Sequence, residues 1–142
     1  MELNMGDEIP LGDKGDGTFY KVLIIDDSVF MIKQISQILQ SQKFEVIGTA
    51  ADGQEGIDKY KELHPKVDLV TLDITMPNVD GITCLEKIIE FDKNAKIVMM
   101  SALGKEDLVK KALLTGAKSY IVKPLDRDKI LSRLKSVLSN TN

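Results

Sequence analysis

The chain has 142 residues, of which 43% are hydrophobic, so length and composition predict one domain with a proper core. Its formal net charge of -3 at pH 7 argues against binding to nucleic acid, because phosphate backbones recruit strongly basic surfaces. The single cysteine, Cys84, excludes an internal disulfide, and no apolar run is long enough for a membrane span, so we expect a cytoplasmic protein.

The first 17 residues differ in composition from the rest of the chain. They are rich in glycine and acidic residues and hold few apolar side chains, which is typical of segments that do not join a core. We therefore predict a flexible leader at residues 1–17 and one folded domain at residues 18–142.

Acidic residues end the first predicted strand. An apolar run that begins at Lys21 ends in Asp26, and Asp27 comes next. Asp27 or Ser28 can cap the following helix, because both residue types accept hydrogen bonds from the free N–H groups of a first turn. The apolar positions of this helix recur at helical spacing and are Val29, Ile32, Ile35 and Leu39.

A single acidic residue follows the third predicted strand. A short strand at residues 44–49 and a helix that ends near residue 63 lead to the apolar run of residues 67–72. Such a run suits a parallel strand that is covered on both faces. Asp73 follows it directly, and Pro77 stops further extension because proline cannot donate to a ladder.

Two more strands, which end near residues 100 and 122, are also followed by residues with useful chemistry. The residues after the fourth strand are Ser101 and Ala102, and those after the fifth are Lys123 and Pro124.

Each of the last three helices has an apolar face and a residue that marks one end. Asp80 and Asp126 are the predicted N-caps of the third and fifth helices, and Gly116 is the predicted C-cap of the fourth. The predicted inward positions are Ile82, Leu85, Ile88 and Ile89 in the third helix, Leu108, Ala112 and Leu113 in the fourth, and Ile130, Leu131, Leu134 and Leu138 in the fifth.

Five strands that alternate with five helices predict an α/β fold with a doubly wound parallel sheet, because short right-handed crossovers join such units. We expect the strand order 2-1-3-4-5, which is the order of flavodoxin-like folds. The carboxyl ends of strands one, three, four and five then share one edge of the sheet. The side chains that should converge there are Asp26, Asp27, Asp73, Ser101 and Lys123.

Three neighbouring carboxylates repel one another, and a divalent cation relieves that repulsion. Oxygen ligands without histidine or cysteine favour a hard ion, and few carboxylates with room for water favour Mg²⁺ over Ca²⁺. A cation, the Lys123 ammonium and the Ser101 hydroxyl around Asp73 describe a site in which this carboxylate attacks phosphorus and forms an aspartyl phosphate. Taken singly, each residue also fits a helix cap, a turn or a solvated surface group.

Tyr120 lies three residues before Lys123, so its ring can sit near the end of the fourth strand. An aromatic residue at a strand position is usually part of the core. We hypothesise that the ring moves inward when Ser101 is drawn toward a phosphoryl group, which would couple the site to the last two helices.

Four segments, "IIDDS", "TLDITMPNVDGI", "MMSALG" and "GAKSYIVKP", resemble motifs of response-regulator receiver domains, most closely the single-domain chemotaxis type with its CheY-like fold. The similarity runs from Lys21 to about Leu138. It implies that Asp73 accepts a phosphoryl group from the phosphohistidine of a histidine kinase. It also implies a set of Mg²⁺ ligands: Asp27, Asp73, the backbone carbonyl of Thr75 and, through water, Asp26.

The resemblance assigns roles to the remaining residues of the edge. Ser101, the backbone of Ala102 and Lys123 would bind phosphoryl oxygens, the bond before Pro124 would be cis, and Tyr120 would be the switch aromatic. The surface of the fourth helix, fifth strand and fifth helix would bind a partner.

The expected partners are a histidine kinase and the flagellar motor switch, with a separate phosphatase as a further candidate. Because we see no output domain after the fifth helix, the expected function is chemotaxis signalling by a monomer through another protein. A phosphorelay intermediate and a phosphate sink are alternatives in the same class. We expect no enzyme activity beyond the chain's own phosphoryl transfer and autodephosphorylation.

Two positions, Thr75 and Leu103, bear on alternative functions and on the comparison with related proteins. Mg²⁺-dependent phosphatases of the haloacid-dehalogenase kind place a second Asp two positions after the nucleophile, and Thr75 stands there instead. A phosphorylation-independent adaptor is disfavoured by the intact acidic set. Thr75 and Leu103 replace residues found in some chemotaxis members, so the lifetime of a phosphorylated state does not carry over.

Overall fold

Residues 9–139 are described by the structure, a computed structural model, and they form a five-stranded parallel sheet with helices on both faces. The strands are β1 (Lys21–Ile25), β2 (Glu45–Ala50), β3 (Leu69–Leu72), β4 (Ile97–Ser101) and β5 (Ser119–Val122). Their order in the sheet is β2-β1-β3-β4-β5, and every neighbouring pair is parallel. The predicted fold class and strand order are confirmed.

One helix follows each strand. The helices are α1 (Val29–Gln40), α2 (Gly53–Leu63), α3 (Gly81–Phe91), α4 (Glu106–Thr115) and α5 (Arg127–Ser139). Within residues 9–139, none of them combines the length and apolar character that crossing a membrane requires.

Side-chain caps start α1, α2 and α3 near the carboxyl edge of the sheet. Ser28, rather than Asp27, caps α1, because its side chain accepts a hydrogen bond from Met31 N. Asp80 caps α3 as predicted. Gly116 ends α4 with a φ of 132°, a conformation that glycine adopts without strain. The N-caps set where the strand-to-helix loops end, and these loops carry the polar residues of the edge.

The core lies in two layers, one on each face of the sheet. Leu23 and Ile25 of β1 pack toward α2, α3 and α4, while Val22 and Ile24 pack toward α1 and α5. All four side chains are buried, which is why the strand reads as a continuous apolar run. Burying one such side chain stabilises the fold by about 1.5–3 kcal/mol.

One predicted inward position, Leu113, is wrong, and one apolar position of the helical pattern in α1, Val29, lies at the surface. Val29 is 81% exposed and Leu113 is 44% exposed. Val29 is the first residue of α1, where no element within residues 9–139 covers its side chain. Leu113 follows the buried Ala112, and one residue turns an α-helix by about 100°, which carries its side chain out of the buried line.

Part of the predicted leader is attached to the domain. Residues 1–8 lie outside the described part of the chain, so that portion of the prediction is not addressed. Gly12 is buried, and its N–H donates to the carbonyl of Gln42 across 2.7 Å. A Cβ at Gly12 would lie 2.4 Å from the backbone nitrogen of Phe44, so only glycine allows this approach. The boundary between residues 17 and 18 stays a prediction.

Candidate functional site

Three carboxylates meet at the carboxyl edge of the sheet. Asp26 and Asp27 follow β1, Asp73 follows the adjacent β3, and one oxygen from each lies within 4.8 Å of the others. Asp26 is 1% exposed and Asp73 is 6% exposed, whereas Asp27 is exposed. Two of the carboxyl groups are therefore buried in the domain, and the third is in contact with solvent.

Lys123 brings a positive charge to this cluster from the end of β5. Its Nζ atom lies 3.1 Å from Oδ2 of Asp26 and 3.5 Å from Oδ1 of Asp73. Oδ1 of Asp26 accepts a hydrogen bond from the N–H of Ser28 across 2.9 Å. Both oxygens of Asp26 are thus engaged, so this carboxylate fixes the ammonium beside Asp73. The peptide bond between Lys123 and Pro124 is cis.

The surroundings of Asp73 favour its protonated form. Burial, as the largest cause, raises the pKa of this carboxyl above its ordinary value of 3.8. The Lys123 ammonium opposes the rise, and the neighbouring charges of Asp26 and Asp27 add to it. One ammonium does not offset three carboxylates, so a further cation would stabilise the ionised form of Asp73.

The donor set fits a magnesium ion. All three side chains offer carboxylate oxygens, and together they exceed the single ammonium by two negative charges. Hard divalent cations prefer oxygen ligands, and Mg²⁺ usually keeps several waters, for which the exposed side of Asp27 leaves room. Thr75 lies two residues beyond Asp73 in the loop between β3 and α3, so its backbone carbonyl is a candidate fourth ligand.

Ser101 and Tyr120 both form hydrogen bonds with Leu103, in the loop after β4. The buried Ser101 Oγ accepts a hydrogen bond from Leu103 N across 3.1 Å, and the Tyr120 hydroxyl donates to the carbonyl of Leu103. Lys123 N donates to the carbonyl of Ser101 across 2.8 Å, which ties this loop to the lysine. Ala102 is exposed. The predicted residues of strands four and five are therefore neighbours.

A groove beside the acidic cluster was not predicted. It has a volume of about 480 Å³ and lies between α3, α4 and the loops that precede them. Thr75 and Leu103, both singled out in the sequence analysis, line it. Its floor is apolar and includes Ile74 and Met76. In the sequence, the apolar residues on either side of Thr75 were the only indication that an apolar surface lies in this loop.

Comparison with known proteins gives consistent results. A model of the response regulator receiver domain family matches residues 22–135. The chain is 64% identical to the chemotaxis protein CheY of Treponema pallidum, over 94% of this chain and 93% of that protein. It is 44% identical to CheY of Bacillus subtilis, over 84% of this chain and 98% of that protein.

A solved structure shares both the fold and much of the sequence. The CheX-CheY-BeF3-Mg²⁺ complex of Borrelia burgdorferi contains a chain that superposes with a TM-score of 0.90 at 58% identity. The match covers 92% of this chain and 98% of that one. The chain belongs to the response regulator receiver domain family, and within it to the CheY type of chemotaxis receivers.

Proposed function

We propose that this receiver is a phosphorylation-activated switch that accepts a phosphoryl group on Asp73 and then binds the flagellar motor switch. The observation that best supports this proposal is the position of the Lys123 ammonium, 3.5 Å from the Asp73 carboxylate and 3.1 Å from that of Asp26. A nucleophilic carboxylate next to a fixed cation and two more acids is the arrangement that phosphoryl transfer requires.

The transfer is a displacement at phosphorus. A carboxylate oxygen of Asp73 attacks the phosphoryl group of a kinase phosphohistidine, the phosphorus–nitrogen bond breaks, and the imidazole leaves. The Lys123 ammonium group contacts the phosphoryl oxygens and stabilises their negative charge. The Ser101 hydroxyl and the Ala102 N–H donate hydrogen bonds to the same oxygens. These groups are already in position to stabilise the charge that develops on the phosphoryl oxygens.

The carboxylates of Asp27 and Asp73 and the carbonyl of Thr75 would hold Mg²⁺, and Asp26 would contribute through water. When bound, that ion neutralises charge on the transferring phosphoryl group. The same pocket would later allow water to hydrolyse the aspartyl phosphate, so the only reactions in this proposal are the chain's own phosphorylation and dephosphorylation.

Leu103 connects the site to the surface. Its N–H is held by Ser101 and its carbonyl by Tyr120. A phosphoryl group, which adds about -1.5 to -2 charges, would draw the Ser101 hydroxyl toward itself and free the Leu103 N–H. The loop and the Tyr120 ring would then favour a second conformation that is already accessible.

The partner surface would be formed by α4, β5 and α5. Leu113, Leu114 and Val122 are large apolar residues that stay exposed there, which suits contact with another protein. The Borrelia burgdorferi relative was crystallised with CheX, BeF3 and Mg²⁺, which supports protein binding by a receiver that carries a phosphoryl mimic. A histidine kinase as donor, the motor switch as target and a separate phosphatase complete the proposed set of partners.

Incubation with acetyl phosphate and Mg²⁺ tests the proposal. We expect intact-mass spectra to show one added phosphoryl group, and both omission of Mg²⁺ and the Asp73→Asn substitution to abolish it. Asp58→Asn, at an exposed position of α2, is the control and should leave the adduct unchanged. An unphosphorylated wild-type protein would contradict the proposed switch.

Binding to a motor-switch peptide tests the output. BeF3-treated protein should bind the peptide more tightly than untreated protein. Phosphorylation without any gain in peptide binding would contradict this output and favour a relay or a phosphate sink.

A further inference from the structure

The N-terminal end of α2 touches the loop that follows Asp73. The side-chain Nδ2 of Asn78 donates a hydrogen bond to Oδ2 of Asp52 across 3.1 Å. Gly53 packs against the same loop so closely that a Cβ there would lie 2.0 Å from the carbonyl oxygen of Val79. One hydrogen bond and one backbone contact therefore join two elements that are distant in sequence.

The loop between β3 and α3 is restrained at two points. At its base, the N–H of Gly81 donates to the carbonyl of Ile74 across 2.8 Å. At its far side, Asn78 has a φ of 67°, a left-handed conformation that asparagine tolerates better than most residues. Thr75 lies between these two restraints, so the conformation of its peptide group depends on both.

Asp52 is a fixed acceptor rather than a freely rotating surface group. Its Oδ1 accepts from Glu55 N across 2.8 Å, and Glu55 Oε1 in turn accepts from Ala51 N across 2.7 Å. This reciprocal pair caps α2. The helix is itself anchored to β1, since a Cβ at Gly56 would lie 2.7 Å from the side chain of Ile25. The Asn78 side chain is thus bound to a rigid part of the domain.

We propose that Asn78 and Asp52 are positioning residues for the metal site. Their hydrogen bond holds the loop in the conformation that places the Thr75 carbonyl beside the acidic cluster. This inference rests on the proposed function, in which that carbonyl is a Mg²⁺ ligand. A loop released from α2 has to be ordered when the ion binds, and the cost of ordering it weakens binding.

Two substitutions remove the bond while sparing the backbone. Asp52→Ser keeps a residue type that caps helices well, but it lacks the second side-chain oxygen, which accepts from Asn78 Nδ2. Asn78→Gly deletes the donor at a position where glycine adopts the positive φ readily. Gln54→Ala is the matched control, because it removes an exposed hydrogen bond to Asp58 within α2 that does not reach the loop.

Isothermal titration of the full chain with Mg²⁺ is the measurement. We expect the Kd to rise about 10-fold in either variant, the range in which partners of metal ligands act. The double variant should match the single ones, since both remove the same contact. The control should bind Mg²⁺ like the wild type.

The outcomes separate the two proposals. Wild-type binding of Mg²⁺ with unchanged Kd values in both variants would overturn this inference alone. A lower thermal unfolding midpoint in EDTA with an unchanged Kd would also overturn it, because it would show a structural role only. Absence of Mg²⁺ binding by the wild type would refute the proposed function, and this inference with it.

Discussion

The ammonium nitrogen of Lys123 lies 3.5 Å from a carboxylate oxygen of Asp73, across the end of the strand that separates their own strands. This contact exists because β3, β4 and β5 are consecutive in the sheet, so that their carboxyl ends form one continuous edge. The side chain of Lys123 is only 16% exposed, which limits the screening of its charge by water. The same lysine therefore both offsets the carboxylates and faces the proposed phosphoryl group.

Replacing Lys123 by Met should slow phosphorylation. The substitution keeps much of the side-chain volume and removes the charge that stabilises the phosphoryl oxygens. We expect the rate of adduct formation with acetyl phosphate to fall on the order of 100-fold, as for loss of one oriented donor in an active site. Lys129→Met, which removes an exposed lysine of α5, should leave the rate unchanged. Equal rates in the two variants would contradict the assigned role.

The buried charge of Asp73 should make stability depend on pH. Burial raises the pKa of this carboxyl in the folded state, so its contribution to stability is fully present below the ordinary value of 3.8 and is lost as the pH rises through the folded-state pKa. Asp73→Asn removes that loss. In EDTA, the free energy of unfolding of the variant minus that of the wild type should therefore grow from about pH 4 upward and then level off.

Urea denaturation at a series of pH values measures this difference. Asp58→Asn, which removes a carboxylate at an exposed site of α2, is the control. Added Mg²⁺ should stabilise the wild type more than Asp73→Asn, because a ligand stabilises the state that binds it. If the difference in free energy of unfolding between Asp73→Asn and the wild type did not change with pH, burial would not raise the pKa of Asp73 in the metal-free protein.

The residues of the edge were predictable because each one ends a strand or directly follows one. Asp26, Asp73, Ser101 and Lys123 stand at the ends of apolar runs, and a parallel sheet aligns such ends. The roles that we assign to them remain proposals. What sequence reasoning supplied was the topology and, through it, the proximity of residues that are far apart in the chain.

Contacts between loops could not be predicted in the same way. The bond from Asn78 to Asp52 and the pairing of Gly12 with Gln42 join irregular segments, which have no periodicity to reveal their neighbours. The exposure of Val29 has a related cause, because helical spacing indicates a face but not how far along the helix that face is covered.

Tyr120 should transmit the activated state to the partner surface. Its hydroxyl donates to the Leu103 carbonyl and its ring is buried. Truncation to alanine removes this hydrogen bond and the packing of the ring, and so breaks the link to Ser101 through Leu103. We expect Tyr120→Ala to weaken binding of the BeF3-treated protein to a motor-switch peptide about 10-fold, within the usual range of coupling between sites. Fluorescence anisotropy of a labelled peptide measures the affinity.

The same variant should still form the phosphoryl adduct with acetyl phosphate, which separates a switching role from a catalytic one. If Tyr120→Ala bound the peptide like the wild type in the presence of BeF3, the proposed coupling through Leu103 would be incorrect.

A second buried tyrosine should matter for stability alone. The Tyr60 hydroxyl donates to Oδ2 of Asp92 across 2.6 Å, where α2 and α3 end, away from the acidic cluster. Hydrogen bonds to charged groups contribute about 1.5–3 kcal/mol, so Tyr60→Phe should lower the free energy of unfolding by about 2 kcal/mol. The rate of phosphorylation should not change. Tyr20→Phe, at a half-buried ring that packs on Phe44, is the matched control.

Chemical mapping of the phosphorylated residue tests the central claim most directly. Borohydride reduces an aspartyl phosphate to homoserine, which marks the modified position in a tandem mass spectrum of the digested protein. After incubation with acetyl phosphate and Mg²⁺, we predict homoserine at position 73 and at no other acidic residue. Homoserine at position 26 or 27, or none at all, would contradict the assignment of Asp73 as the phosphoacceptor.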